Sequence, residues 1–202
     1  MRSFHLIALI GLMALPAQSV LAQGKLNGPA RLDAAEIRRQ AAQLTELRAL
    51  LADPDAHVRL FTMREAILKG DAVQRSTAIE VGLASDETSL LELAVGGILA
   101  NTQEAIIEFV DSDGKLLPNA QPSSLRMTIT SYNFNNGRIE GNLSCPGSPT
   151  FQGQLQGAVF SFKQYLCSGA LSWSGATGDM RGRMNLNGGQ PDGNRSAVWR
   201  PR

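Results

Sequence analysis

The chemistry-bearing residue that stands out in this chain is His57, the only histidine after residue 22. It lies in ADPDAHVRL, four residues after Asp53 and two after Asp55. A carboxylate that orients an imidazole would make His57 a general base. Nucleophilic catalysis would also need an activated serine or cysteine and an oxyanion hole, and no Gly-x-Ser-x-Gly motif occurs after residue 22. We therefore interpret His57 as an exposed residue in the first turn of a helix, and we predict no catalytic or cofactor-binding residues.

Acidic side chains offer two further kinds of site. Asp111 and Asp113 in DSDG resemble part of a calcium loop, but the other oxygen ligands are missing, so a turn is the better interpretation. One histidine and two cysteines do not make a usual zinc site, and we predict no metal ligands. Glycoside hydrolysis needs two carboxyl groups that flank one bond. The sequence does not show whether its candidates for that role converge: Glu104, Glu108, Glu140 and Asp179.

The two cysteines, Cys145 and Cys167, predict one disulfide in an exported chain. A bridge requires Cα atoms within about 7 Å of each other. One long strand over residues 151–162 would hold the cysteines at opposite ends of a meander. We therefore predict a hairpin turn at Gln156-Gly157 that brings both to the same end.

Residues 1–22 have the pattern of a secretory signal peptide. Arg2 gives a basic start, an apolar run covers 6–17, and Val20 and Ala22 suit cleavage after Ala22. The apolar run is shorter than the roughly 20 residues of a membrane span. We expect a protein exported to the periplasm or secreted, with a linker at 23–31 and no membrane span after cleavage.

Charge gives little indication of a partner. Arg2 is the only Lys or Arg in residues 1–22, so the remaining chain has 18 basic and 18 acidic side chains. This balance argues against general affinity for nucleic acid or anionic lipid. Five arginines and one acid lie in residues 181–202, and we predict a flexible basic tail over 188–202.

The segment 32–101 has the periodicity of four antiparallel helices. Apolar residues recur every three or four positions, and short turns with capping residues separate the helices. Asp53 followed by Pro54 predicts the start of the second helix, and Asp71 the start of the third. Phe61 and Leu68 widen the apolar stripe of the second helix.

This helical segment resembles a short HEAT repeat. In LLADPDAHVRLFTMREAILKGD, the residues that match the helix-opening Asp-Pro-Asp-x-x-Val-Arg motif are Asp53, Pro54, Asp55, Val58 and Arg59. A degenerate second copy, ASDETSLLELAVGGIL, places Asp86 33 residues after Asp53. The resemblance covers about residues 33–100 and implies a helical surface for protein contacts. Such arrays usually need about three repeats, so we expect these helices to pack against the second half of the chain or a partner.

Residues 102–187 follow a different pattern, with period-two alternation and frequent turn signals such as NNG at 135–137. Four segments share the template apolar-x-Gly-x-apolar: IEGNLSC, FQGQLQG, CSGALSW and MRGRMNL. On a strand, the glycine and both apolar residues face the same side. Inward glycines favour a small barrel or tightly coiled sheet, and the alternative is a sheet face left open for a ligand.

The predicted fold class is α+β: an N-terminal HEAT-like helical domain followed by a small antiparallel, barrel-like β domain with one disulfide. We expect an exported, non-enzymatic binding or scaffolding protein whose helices contact an unidentified protein. A closed β core with an exposed apolar groove along the helices would favour this function. The alternative is a polysaccharide-acting enzyme or carbohydrate-binding module in the β domain. The aromatic residues available for stacking on a sugar or peptide are Tyr132, Phe134, Tyr165 and Trp173, and such a module would need Tyr132 or Trp173 exposed.

Overall fold

A computed structural model describes residues 33–117, 122–175, 178–186 and 194–202. The predicted signal peptide, its cleavage site after Ala22 and the linker at 23–31 lie outside these residues. The described residues contain four helices: α1 (Ala34–Leu51), α2 (Ala56–Lys69), α3 (Ala72–Leu83) and α4 (Thr88–Asn101). Within the described part of the chain, no helix combines the length and apolar character that a membrane span requires.

In the described part of the chain, eight strands follow the helices and form a closed barrel. They are β1 (Glu104–Val110), β2 (Ser124–Asn133), β3 (Arg138–Leu143), β4 (Thr150–Gln156), β5 (Val159–Lys163), β6 (Ser168–Ser174), β7 (Asp179–Asn185) and β8 (Asn194–Pro201). Each strand pairs antiparallel with its neighbours in sequence, and β1 pairs with β8 to close the barrel. The prediction of a helical segment followed by an antiparallel, barrel-like β domain is therefore confirmed.

The second helix begins slightly later than the sequence predicted. Its N-cap is Asp55, whose carboxylate accepts a hydrogen bond from the backbone N–H of His57 at 2.8 Å. Asp53, the predicted cap, instead accepts from the backbone N–H of Asp55, also at 2.8 Å. Asp53 therefore stabilises the turn that places Asp55 at the helix start, because a short side-chain oxygen can close such a local turn. Asp71 caps α3 as predicted, with a complete capping box.

The last strand corrects the prediction of a flexible tail. Residues 188–193 are not described, but 194–201 form β8, hydrogen-bonded to both β1 and β7. Three consecutive residues of β8 are buried: Ala197, Val198 and Trp199. The arginines that suggested a solvated tail flank this apolar segment. The prediction followed the basic composition of the segment and overlooked its short apolar run.

The glycines of the repeated template make the tight barrel possible. A Cβ added at Gly141 would collide with the backbone carbonyl oxygen of Thr128, and one at Gly182 with that of Ala170. Close approach of neighbouring backbones therefore requires glycine at these two positions. Buried aromatic rings fill the interior beside the other template glycines: Phe151, Phe160 and Phe162. The glycines thus serve coiling and packing rather than an open ligand face inside the barrel.

Helix α4 joins the helical segment to one end of the barrel. Val95 and Leu99 are fully buried within the same apolar cluster as the barrel interior. The carboxylate of Glu92 accepts a hydrogen bond from the backbone N–H of Gly157, in the β4–β5 turn, at 2.6 Å. The helices therefore pack against the second half of the chain, as their small number led us to expect.

The disulfide lies at the opposite end of the barrel. Cys145 follows β3 and Cys167 precedes β6, and their Cα atoms are 6.5 Å apart. The predicted hairpin exists: Gly157 and Ala158 form the two-residue turn between β4 and β5, with φ values of +55° and +63°. Positive φ at both positions is the geometry that suits two-residue hairpins. The disulfide and the presence of the turn are confirmed, and the turn lies one residue later than the predicted Gln156-Gly157 position.

Candidate functional site

A cleft of about 490 Å³ opens where the helices meet the barrel. Its walls come from α2, α4 and the end of β2, and its lining residues are His57, Leu60, Phe61, Arg64, Ser89, Glu92, Leu93, Tyr132 and Phe134. Concave sites with mainly apolar walls and a few polar groups are the usual form of a binding site. We therefore take this helix–barrel cleft as the candidate functional site.

Aromatic residues dominate the apolar part of the cleft. Phe61 is 67% exposed, although the apolar stripe of α2 that contains Met63 and Ile67 is buried. Across the cleft, Tyr132 and Phe134 pack edge to face with ring centroids 4.5 Å apart. This arrangement holds the far wall in place, while Phe61 remains open to solvent at the near edge.

The polar groups of the cleft differ in how fully they are satisfied. Arg64 donates a hydrogen bond to the side-chain oxygen of Asn135, in the β2–β3 turn. No carboxylate in the described ranges lies within ion-pair distance of Arg64, whereas the nearby Arg59 pairs with Glu87 at 2.7 Å. Glu92 already accepts the Gly157 N–H. Arg64 is therefore the arginine of the cleft that has no carboxylate partner among the described residues.

Tyr132 contributes a hydroxyl group that stays protonated. Burial and, to a smaller extent, the nearby carboxylate of Glu92 together raise the pKa of Tyr132 to about 12. The ring also packs closely against Gly96 of α4, where a Cβ would collide with the phenol. The Tyr132 hydroxyl is thus a neutral donor and acceptor at physiological pH.

The ionisation of Tyr132 gives a direct test of how the helices pack on the barrel. The chain has two tyrosines, so the variant Tyr165→Phe retains only Tyr132. We expect tyrosinate absorbance to appear near pH 12 in the folded protein and near 10.0 in denaturant. The raised folded pKa means that the contribution of Tyr132 to stability is constant below about pH 10 and falls as pH rises from 10 towards 12, because the unfolded state loses the proton first. A folded-state midpoint near pH 10 would contradict the packing described here.

The repeat-motif residues do not line the cleft; they hold the start of α2, next to His57. Arg59 donates to the carbonyl oxygens of Asp53 at 2.6 Å and Pro54 at 3.0 Å, and its pairing with Glu87 links the starts of α2 and α4. Hydrogen bonds with Arg59 also hold the pKa of the Glu87 carboxyl below its usual value. Val58 is partly buried beside them. These residues fix local structure, and they form no nucleophile–base arrangement.

His57 lies at the exposed edge of the cleft. The carboxylates of Asp53 and Asp55, the two groups considered as partners of its imidazole, accept backbone N–H groups instead. This geometry agrees with the interpretation of His57 as a residue of the first helical turn.

The candidate catalytic carboxylates lie on the barrel, away from the cleft, and each is paired with an arginine. Glu108 pairs with Arg200 at 2.7 Å and Glu140 with Arg138 at 2.9 Å. The remaining two, with their partners, are Glu104 with Arg126 and Arg202, and Asp179 with Arg181 and Arg200.

Metal binding has no support among the described residues, which contain no cluster of three or more His, Cys, Asp or Glu side chains able to hold an ion. DSDG is a turn: the backbone N–H of Gly114 donates to the carbonyl oxygen of Asp111 at 3.1 Å. The Asp111 carboxylate accepts from the backbone N–H groups of Asp113 and Lys115. This carboxylate is thus engaged in stabilising the turn.

The aromatic residues considered for sugar stacking have different environments. Tyr132 and Trp173 are partly buried against the barrel core, so the two residues that a carbohydrate-binding module was expected to expose are not open on a flat face. Phe134 packs against the helical cluster. Tyr165, in contrast, is 79% exposed, at the disulfide end of the barrel.

The cleft was not predicted from the sequence, although one residue of α2 signals it. Phe61 lies beside the main stripe of α2 and was assigned to the apolar face, yet it is exposed. An apolar residue off the buried stripe of a short helix is the kind of feature that marks a contact surface. Arg64, Ser89 and Glu92 gave no signal, because they become neighbours of Tyr132 only when α4 packs on the barrel.

Comparison with known proteins found no matching family model, no matching curated protein and no matching solved structure. The fold and cleft therefore define this chain only as a four-helix segment packed on a closed, disulfide-linked eight-stranded barrel. The HEAT-like character of the helices stays a prediction.

Proposed function

We propose that the chain is an exported binding protein that holds a segment of a partner polypeptide in the helix–barrel cleft. The observation that carries the proposal is the 67% exposure of Phe61 at the edge of an apolar cleft of about 490 Å³. Large aromatic residues dominate the energetics of protein interfaces when a partner buries them. The interior of the barrel, in contrast, is filled by its own side chains.

The chemistry of the cleft specifies the partner segment. Phe61, Leu93 and Phe134 offer contacts to a large apolar side chain. Arg64 offers a charge-assisted hydrogen bond to a carboxylate, which no described residue supplies. The proposed occupant is therefore a segment with a bulky apolar residue next to an acidic residue or to a chain-terminal carboxylate.

Three further features support this function. The Cys145–Cys167 disulfide is consistent with an oxidising compartment such as the periplasm or the cell exterior, and the N-terminal sequence has the pattern of a secretory signal. The resemblance to HEAT repeats implies a protein-contacting helical surface. The alternative of a polysaccharide-acting enzyme lacks comparable support, since every candidate carboxylate is engaged by arginine.

The test is capture of the partner by the full secreted chain and by matched variants. We expect the wild type and Val73→Ser to recover the same polypeptide from an envelope extract of the source cells. Phe61→Ser should recover it with at least about ten-fold lower affinity, as is typical when an aromatic contact residue is lost. Val73 is a fair control because it is also an exposed apolar helix residue, at 56%, but does not line the cleft.

A photoreactive side chain at Ser89, inside the cleft, should crosslink to the captured polypeptide. Arg64→Gln should weaken binding and Arg64→Lys should restore part of it, because the proposed contact is an ion pair. Equal recovery by Phe61→Ser and the wild type, or no crosslink from Ser89, would overturn the proposal.

A further inference from the structure

We propose a second binding site: a polar groove on the outer face of β3–β6, bordered by Tyr165, that takes an oligosaccharide carrying carboxylates. This groove is on the barrel surface and shares no residue with the helix–barrel cleft. The inference therefore goes beyond the proposed protein-binding function and does not rest on it.

The groove consists of two adjacent depressions of about 770 and 510 Å³. They share Gln152 and Lys163, and together they reach from Tyr165 at the disulfide end of the barrel to Arg138 near the helical end. Four neighbouring strands, each about 4.8 Å from the next, span about 14 Å. This shape suits an extended ligand rather than a single compact one.

The centre of the groove is a row of three polar side chains on consecutive strands. Glu140 of β3 lies opposite Gln152 of β4, and Gln152 lies opposite Lys163 of β5. All three side chains are exposed on the outer face, where directly opposed residues have Cβ atoms about 5 Å apart. The row combines a carboxylate acceptor, an amide that both donates and accepts, and an ammonium donor. Vicinal sugar hydroxyls, which donate and accept at short intervals, fit such a row.

Tyr165 supplies an apolar surface at the end of this row. It is 79% exposed, yet its loop is tied down on both sides. The disulfide fixes Cys167, and the backbone N–H of Gln164 donates to the carbonyl oxygen of Cys167 at 2.7 Å. Gly147, from the β3–β4 loop, lies against the ring, where a Cβ would be 3.3 Å from Tyr165 Cδ1. An exposed aromatic ring on a constrained loop can pack on the C–H groups of a sugar with little ordering cost.

The charge of the groove indicates the class of sugar. Arg138 and Glu140 pair with each other at 2.9 Å. Lys163 has no carboxylate within ion-pair distance in the ranges that the structure describes, so the groove has one uncompensated positive charge at its centre. A carboxylate on the ligand, as in a uronic acid, would neutralise it. We therefore expect acidic glycans to bind in preference to neutral ones.

Calorimetric titration of the full chain with oligogalacturonate and with a cello-oligosaccharide of equal length tests the proposal. We expect the acidic glycan to bind about ten-fold more tightly, with a preference that declines as salt is added. Tyr165→Ala should weaken binding of the acidic glycan about ten-fold or more. Lys163→Gln should abolish the preference for the acidic glycan while leaving residual binding of both.

Three controls make the result decisive. Phe61→Ser should bind oligogalacturonate like the wild type, so that failure of the cleft and failure of the groove are distinguishable. The urea midpoint of Tyr165→Ala should equal that of the wild type, since the side chain is exposed. A polyglutamate peptide should bind more weakly than oligogalacturonate. The proposal is overturned if neither glycan binds, if Tyr165→Ala binds like the wild type, if both glycans bind equally to the wild type, or if polyglutamate binds as well as the acidic glycan.

Discussion

Trp199→Ala is expected to lower the free energy of unfolding by about 3–5 kcal/mol, the usual cost of truncating a buried tryptophan. Trp199 is completely buried in the barrel core. It lies in β8 opposite Ile107 of β1 and Met180 of β7, both of which are also fully buried. Its removal would leave a void at the seam where the barrel closes, and close-packed interiors relax only partly around such a void.

Urea denaturation followed by circular dichroism measures this loss, and Arg200→Ala is the matched control. Arg200 is the next residue of the same strand, but its side chain is 50% exposed and pairs with Glu108 on the outer face. Its replacement should cost no more than about 1 kcal/mol. Trp199→Phe should cost less than Trp199→Ala, because the indole N–H makes no hydrogen bond with the described residues. Equal effects of Trp199→Ala and Arg200→Ala would mean that β8 does not close the barrel.

The Trp199 experiment also tests the largest difference between the predicted and the observed structure, which is strand β8. A flexible tail over 188–202 would tolerate any substitution at position 199. The composition of this segment, rich in arginine, glycine and proline, concealed a strand whose pairing partners β1 and β7 are elsewhere in the chain. The last strand closes the barrel by pairing with strands that are distant in sequence. The eight residues of β8 alone therefore do not indicate this pairing.

Local sequence patterns did predict the elements that depend mainly on residues near them in the chain, such as the helices and their caps. The four helices follow from apolar periodicity and capping residues, and Asp71 forms the cap predicted for it. The turn at Gly157 followed from a geometric requirement, since the two cysteines had to reach one end of the sheet. The template glycines correctly indicated coiling because the close backbone contacts at Gly141 and Gly182 exclude any side chain.

The candidate site was much less predictable than the fold. The cleft brings Phe61 and Arg64 of α2 near Tyr132 of β2, and nothing local in the sequence links these segments. Their proximity depends on α4, which shares Val95 and Leu99 with the barrel core and is anchored through Glu92. The same packing explains why so few helices suffice here: the end of the barrel covers the apolar face of α4.

The second large effect is expected at the disulfide end of the barrel. The double variant Cys145→Ala/Cys167→Ala should be about 3 kcal/mol less stable than the oxidised wild type, because a bridge across this sequence separation restricts the unfolded chain. Both cysteines are buried, at 7% and 1% exposure, and alanine retains most of their packing. The loss should therefore come chiefly from the missing cross-link. Urea denaturation of the double variant beside the wild type measures it.

The reduced wild type is the control for the double variant, and the two should unfold at similar urea concentrations.

The double variant also separates the two proposed sites. The disulfide constrains the loop that carries Tyr165, so the double variant should bind oligogalacturonate more weakly while it remains folded. The helix–barrel cleft lies at the other end of the barrel, so Phe61-dependent capture of a polypeptide should persist under the same conditions. Unchanged stability of the double variant would show that strand pairing alone holds the β3–β4 and β5–β6 loops together.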